Sequence, residues 1–149
     1  MLQERELKVF VDGTMNYFEV AAQQPASIGS PYLVTKGIPG VHDYTGVITI
    51  SGKREGVVYF TATRAMLTVL LMKMQETDFS DETMQDLVGE VANTISGNAR
   101  RDFGRDFVIS VPNVVAGEKV EIPLITGLRP YVIPINWRSY SAKLVVALK

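Results

Sequence analysis

Residues 80–104, SDETMQDLVGEVANTISGNARRDFG, constrain the fold more than any other stretch of the chain. Apolar residues recur every three or four positions, which places them on one face of an α-helix that turns about 100° per residue. This apolar stripe consists of Met84, Leu87, Val88, Val91 and Ile95. A second stripe on the opposite side consists of Asp86, Glu90, Asn93 and Gly97. The pattern predicts a helix with one face in the core and the other facing outwards.

Both ends of this helix carry residues that typically begin and end helices. Ser80 is a good N-cap, and the following acids, Asp81 and Glu82, complement the partial positive charge of a helix N-terminus. Gly104 can terminate the helix. Basic residues that suit its negative end are Arg100, Arg101 and Arg105.

The rest of the chain predicts an α+β fold, with three helices packed on a mostly antiparallel sheet. A first helix is predicted over residues 7–22, and a very apolar second helix, capped by Thr63, over residues 64–75. The second helix needs cover on most sides, so we expect it at the centre of the core or partly in an oligomer contact. In the first helix, Gly13 suggests a close packing contact.

Strand patterns follow the first helix and the 80–104 helix. Residues 45–51 and 56–61 predict an antiparallel hairpin, because two β-branched runs flank a polar turn with glycine at both ends. Further strands are predicted over residues 32–34, 107–111, 118–124, 131–137 and 140–148. Residues 112–117, PNVVAG, are predicted to form a loop.

Composition excludes several classes of function. The chain of 149 residues is long enough for one domain with a sizeable core, and its net charge of −1 argues against a nucleic-acid binder. The absence of cysteine excludes disulfides and zinc–thiolate sites. No apolar run approaches the roughly 20 residues that span a bilayer, and the N-terminus lacks a secretory signal. We therefore expect a cytoplasmic protein that binds neither membranes nor nucleic acid.

Most catalytic templates are also missing. The single histidine, His42, lies in a turn-rich region without the partner residues that a metal site or a catalytic triad requires. The glycine spacings fit neither a P-loop nor a dinucleotide-binding loop. The stripe of Asp86, Glu90 and Asn93 remains, either as a solvated helix face or as a binding surface. Because asparagine and glycine are poor helix formers, Asn93 and Gly97 favour a surface that another molecule approaches closely.

The segment from Asp86 to Gly97, DLVGEVANTISG, resembles the signature of the CheC/CheX/FliY family of chemotaxis phosphatases. That signature is Ser or Asp, three residues, Glu, two residues and Asn. The order of elements is similar as well, and PNVVAG resembles a Pro-x-Val-Val-x-Gly loop of CheX-type members. The resemblance covers nearly the whole chain. It implies a CheC/CheX-like α/β sandwich and a single CheX-like phosphatase domain over residues 1–149.

CheC-type members of the family often carry two motif helices. The first predicted helix here offers Asp12, Asn16 and Glu19 at the same spacing, but with Glu and Asn exchanged. We interpret this difference as one active centre, formed by Glu90 and Asn93, in a CheX-like member.

The resemblance implies that the substrate is the aspartyl phosphate of a CheY-type response regulator, which carries its own Mg²⁺ and lysine. The protein would then need no cofactor of its own. We expect Asn93 to orient the attacking water, because a carboxamide donates and accepts hydrogen bonds without titrating. Glu90 is expected to pair with the regulator's lysine. Asp86 is expected to support docking or the helix, and Gly97 to allow close approach of the partner backbone.

Two other readings stay open at this stage. One is a non-catalytic module that binds a receiver domain or a flagellar-switch component. The other is a dimeric structural domain whose outer helix face is merely solvated. The resemblance also implies a homodimer formed through the sheets with exchange of β structure, which the proline-interrupted C-terminal strands would permit.

Overall fold

The computed structural model describes residues 2–37, 39–117, 122 and 127–149. Within these residues, three helices and eight strands follow one another in the order α1 (Glu4–Val20), β1 (Ser27–Ile28), β2 (Tyr32–Leu33), β3 (Tyr44–Gly52), β4 (Gly56–Ala62), α2 (Arg64–Lys73), α3 (Asp81–Phe103), β5 (Phe107–Ile109), β6 (Asn113–Ala116), β7 (Tyr131–Trp137) and β8 (Tyr140–Leu148). This architecture confirms the predicted α+β fold of three helices on an antiparallel sheet.

All eight strands belong to one antiparallel sheet with the order β1-β7-β8-β4-β3-β5. At one edge β2 pairs with β7 beside β1, and at the other edge β6 pairs with β3 beside β5. The predicted hairpin is β3 with β4, in a register that pairs Tyr44 with Ala62 and Ile50 with Gly56. Strand β4 lies between β3 and β8, and all seven of its residues are buried.

The helices cover one face of the sheet, and the main core fills the space between the two layers. Its largest fully buried side chains include Phe10, Phe18, Phe60, Met84 and Trp137. A smaller apolar cluster lies on the opposite face of the sheet around Val47, Tyr59 and Val145. Both faces of the central strands are therefore buried, which explains why β4 reads as a continuous apolar run.

Helix α3 occupies the centre of the helical layer, where it contacts both other helices and the strands β3 to β6. The expectation that the second helix would be central is wrong. Helix α2 has only 10 residues and buries one face, formed by Met66, Leu67, Leu70 and Leu71. Met72, on its other side, is 60% exposed. Whether this side lies in an oligomer contact stays a prediction.

The structure differs most clearly from the sequence-based prediction at residues 112–117, where the prediction of a loop is wrong. Residues Asn113–Ala116 form strand β6 and pair with β3, joining Asn113 to Val47 and Ala116 to Tyr44. Only Pro112 and Gly117 lie outside the strand, and the β-branched pair Val114–Val115 between them suits a pleated sheet. Of the strand predicted over residues 118–124, only residue 122 is among the described residues.

Candidate functional site

The two-faced helix predicted for residues 80–104 is α3, and its ends are capped as the sequence indicates. The Ser80 side chain accepts a hydrogen bond from the backbone N–H of Thr83 at 3.3 Å. At the other end, the backbone N–H of Gly104 donates to the carbonyl of Arg100 at 2.8 Å, with Gly104 at a φ of +94°. The apolar stripe from Met84 to Ile95 is fully buried or nearly so. This burial fixes which face of α3 looks outwards.

A hydrogen-bonded cluster anchors the N-terminal end of α3 to the neighbouring elements. The Asp81 carboxylate accepts hydrogen bonds from the Tyr44 hydroxyl on β3 and, at 2.6 Å, from the Arg64 guanidinium on α2. Arg64 also donates to the Tyr44 hydroxyl at 2.7 Å and to the carbonyl of Phe79 at 2.9 Å. The hydrogen bonds from Tyr44 and Arg64 lower the pKa of Asp81, so the carboxylate is ionised at neutral pH.

Two glycines let the middle of α3 approach the sheet unusually closely. A Cβ atom at Gly46 of β3 would collide with the backbone carbonyl of Val88. A Cβ atom at Gly89 would stand 2.7 Å from Cγ1 of Val114 and 3.1 Å from Cβ of Pro112. Strand β3 thus supports α3 from below, and the segment around β6 supports it from one side. Sequence reasoning missed this contact, although a glycine inside a strand pattern is a known sign of close backbone approach.

Helix α1 supports α3 from the other side. The Phe10 and Phe103 rings pack with their centroids 5.9 Å apart. Gly13 is buried against α3, where an added Cβ would lie 3.7 Å from Cγ2 of Ile95, an ordinary packing distance. The predicted packing contact at Gly13 therefore exists, but glycine is not required there. With β3, β6 and α1 around it, the segment from Gly89 to Ile95 is held on three sides.

The predicted site residues lie on the fourth side of this segment. Asp86, Glu90 and Asn93 are all exposed. Gly97 is half-buried, and no atom of the residues that the structure describes lies within 4 Å of where its Cβ would stand. Glu90 and Asn93 are three residues apart, which on a helix makes them neighbours with Cβ atoms about 5–6 Å apart. One carboxylate and one carboxamide thus face solvent side by side on a rigid support. They can accept and donate hydrogen bonds to an incoming molecule.

The corresponding residues of α1 also face solvent. Asp12, Asn16 and Glu19 are exposed, and Asp12 accepts a hydrogen bond at 2.8 Å from the ammonium of Lys8 on the same helix. His42 lies in the segment before β3, half-buried, and its backbone N–H donates to the Thr61 hydroxyl at 2.7 Å.

Within the described ranges, no three His, Asp or Glu side chains converge in a way that could hold a metal ion. No helix in that part of the chain has the length and apolar character to cross a membrane.

Solved structures with this fold come from several bacteria. A CheC-like superfamily protein from Shewanella sp. PV-4 shares 24% identity with a TM-score of 0.85, and the alignment covers 99% of both chains. A CheX chemotaxis protein from Desulfovibrio desulfuricans shares 27% identity with a TM-score of 0.84, over 97% of this chain and 99% of that one. No protein of curated function matches the sequence significantly.

A third similar structure contains a second protein. It is the complex of CheX with CheY, BeF₃ and Mg²⁺ from Borrelia burgdorferi, at 22% identity and a TM-score of 0.75, with 97% of each chain covered. In sequence, the family described as chemotaxis phosphatase CheX matches residues 44–136, a stretch that runs from the start of β3 almost to the end of β7 and includes all of α3. Since this match spans more than half of the chain and the fold agrees from end to end, the protein belongs to the CheX family.

Proposed function

We propose that this protein hydrolyses the aspartyl phosphate of a CheY-type response regulator. Its family is described as chemotaxis phosphatase, and a structure with the same fold holds CheY together with BeF₃ and Mg²⁺. Beryllium fluoride stands in for a phosphoryl group on a carboxylate. A phosphorylated regulator that brings its own Mg²⁺ is therefore the substrate that these similarities favour. The Mg²⁺ belongs to the regulator in this proposal.

The observation that carries the proposal is the exposed pair of Glu90 and Asn93 on a segment of α3 that β3, β6 and α1 hold on three sides. Phosphoryl transfer depends chiefly on positioning and on charge stabilisation, and the regulator's Mg²⁺ supplies much of the latter. The phosphatase then has to supply only the positioning of the attacking water, in line with the phosphorus–oxygen bond that breaks. The Asn93 carboxamide can hold that water, since it both accepts and donates hydrogen bonds at neutral pH. A side chain on a supported helix keeps the required position better than one on a loop.

Glu90 has the complementary role of docking in this proposal. Its exposed carboxylate pairs with the lysine beside the regulator's phosphoryl group and so sets the register in which Asn93 enters the site. Asp86, one turn earlier on the same face, contacts the regulator at the edge of the interface. Gly97, one turn after Asn93, leaves room for the regulator's backbone.

The catalytic role of Asn93 is tested by following dephosphorylation of a phosphorylated CheY-type regulator. We expect Asn93→Ala to lower the maximal rate on the order of 100-fold, because a misplaced water costs about this much. Asn98→Ala is the matched control, as Asn98 lies on the same helix but turns towards Gly13 of α1. It should retain the wild-type rate. An unchanged maximal rate in Asn93→Ala would show that Asn93 does not take part in the reaction.

The docking role of Glu90 is tested by separating KM from kcat. We expect Glu90→Ala to raise KM about tenfold, with a much smaller effect on kcat, because one charged contact across an interface is lost. Glu82→Ala, which removes an exposed acid from the first turn of α3, is the control. The same assay with less protein than regulator distinguishes an enzyme from a binding module. After subtraction of the regulator's spontaneous hydrolysis, only an enzyme releases more phosphate than there is protein.

A further inference from the structure

Tyr17 is a buried residue whose polar group has no evident role in the fold. It lies on the inner face of α1, is only 3% exposed, and packs edge-on against the ring of Phe18 with centroids 5.5 Å apart. Its hydroxyl is buried and has no hydrogen-bond partner among the described residues. A buried hydroxyl without a partner costs about 1–3 kcal/mol, so such groups are rare and need an explanation.

The packing of α1 against α3 shows what lies across from this hydroxyl. The contacts of Phe10 with Phe103 and of Gly13 with Ile95 show that the two helices run in opposite directions. Tyr17 is one turn further along α1 than Gly13. Since the helices are antiparallel, Tyr17 lies near Val91, one turn before Ile95 on α3, and Glu90 is the residue next to Val91.

The effect of the Glu90 charge on Tyr17 agrees with a position of the two residues close to each other. Burial, and then the negative charge of Glu90, raise the pKa of the Tyr17 phenol far above its ordinary range. The phenol is consequently a permanent proton donor near a carboxylate. Glu90 itself is exposed, so its side chain is free to change rotamer.

We propose that Tyr17 is a positioning residue for Glu90, whose carboxylate accepts a hydrogen bond from the Tyr17 hydroxyl when the regulator docks. One carboxylate oxygen would bind the tyrosine and the other the regulator's lysine. The tyrosine would thereby hold Glu90 in the rotamer that fixes the docking register, and the buried hydroxyl would gain its missing partner in the complex. This inference rests on the docking role of Glu90 in the proposed function.

The test is the conservative substitution Tyr17→Phe, which removes the hydroxyl and keeps the buried ring. We expect KM for the phosphorylated regulator to rise about tenfold, as for one hydrogen bond to a charged group, with kcat nearly unchanged. The melting temperature of the free protein should stay the same or rise, because the hydroxyl has no partner there to lose. Binding of the regulator loaded with BeF₃ and Mg²⁺ should weaken in parallel.

Ser96→Ala is the matched control, because Ser96 carries the other buried hydroxyl without a partner among the described residues. It should leave KM unchanged. In a Glu90→Ala background, Tyr17→Phe should have no further effect on KM, since the acceptor is gone.

Three outcomes would overturn the inference: an unchanged KM in Tyr17→Phe, additive effects of the two substitutions, or a clear loss of stability in Tyr17→Phe. If Glu90→Ala itself leaves KM unchanged, the docking role in the proposed function fails first.

Discussion

Gly13 and Gly97 are both glycines in the interior of long helices, but their surroundings differ. An added Cβ at Gly13 would make ordinary contacts with Ile95 and Asn98 of α3, whereas an added Cβ at Gly97 would have no atom of the described residues within 4 Å. Glycine costs a helix interior about 1 kcal/mol relative to alanine. At neither position does packing against the described part of the chain require a glycine. The open space at Gly97, on the same face as Glu90 and Asn93, fits the approach of a partner.

Alanine substitutions at Gly13 and Gly97 can therefore test whether Gly97 lies in the interface with the regulator. We expect both Gly13→Ala and Gly97→Ala to raise the free energy of unfolding by up to about 1 kcal/mol, measured by urea denaturation. Only Gly97→Ala should raise KM for the phosphorylated regulator, because its methyl group would stand where the partner's backbone approaches. An equal KM in the two variants would remove Gly97 from the interface.

At the scale of elements, the start of α3 depends on its tie to β3 and α2. Arg64 links the three elements through Asp81 and Tyr44, and its backbone N–H donates at 2.8 Å to the Asp43 carboxylate just before β3. On either side of the N-cap, Met84 belongs to the main core and the partly buried Phe79 packs against it. The position of the helix that carries Glu90 and Asn93 therefore depends on a cluster that is itself partly charged.

The charge in this cluster predicts a pH dependence of stability. Hydrogen bonds from Tyr44 and then Arg64 hold the pKa of Asp81 below its ordinary value of 3.8. The unfolded chain thus takes up this proton first as the pH falls. The stabilisation is fully present above the unfolded pKa and is lost as the pH falls through the folded pKa.

We expect the melting temperature, measured between about pH 6 and pH 3, to show the contribution of the ionised Asp81 carboxylate to stability. Asp81→Asn should lower the melting temperature near neutral pH and make its decline at acid pH shallower than in the wild type. Glu82→Gln, which removes the neighbouring acid of the first turn, should keep the wild-type slope. Parallel pH profiles for wild type and Asp81→Asn would contradict the contribution of Asp81.

At the scale of the whole molecule, both edges of the described sheet are built from short strands. Strands β1 and β2 form one edge beside β7, and β5 and β6 form the other beside β3. Short edge strands leave unpaired backbone groups that another chain can use. The homodimer expected from the family resemblance remains a prediction that this architecture permits.

Sedimentation equilibrium tests that prediction. We expect a mass twice the 16.5 kDa of the chain at micromolar concentration. The mass should fall towards that of one chain on dilution if the dimer dissociates. A single-chain mass at all concentrations would exclude the homodimer, while phosphatase activity, assayed in the same samples, could still be present.

Much of the fold could be predicted because the sequence features that indicate its helices and strands act over short distances along the chain. The N-cap at Ser80, the glycine at Gly104 and the 3.6-residue period between them act within one or two turns, so they identify α3 without knowledge of its neighbours. The hairpin of β3 and β4 and the strands β7 and β8 likewise follow from alternation and turn residues. The outward position of Asp86, Glu90 and Asn93 follows from the same helical period, since their stripe is opposite the buried one.

The remaining features depend on contacts between residues far apart in the chain. Strand β6 forms because β3 offers a partner edge; the β-branched pair Val114–Val115 in PNVVAG suits a strand but does not by itself predict one. The support of α3 at Gly46 and Gly89 arises only when the helix packs on the sheet, and Tyr17 comes near Glu90 only when α1 packs on α3. Local sequence thus accounts for which side chains face outwards, and long-range packing accounts for how firmly they are held. The physical reason is that capping and helical periodicity act over a few neighbouring residues. Close packing joins segments that are far apart in the chain, and the sequence of one does not indicate which other segment it will contact.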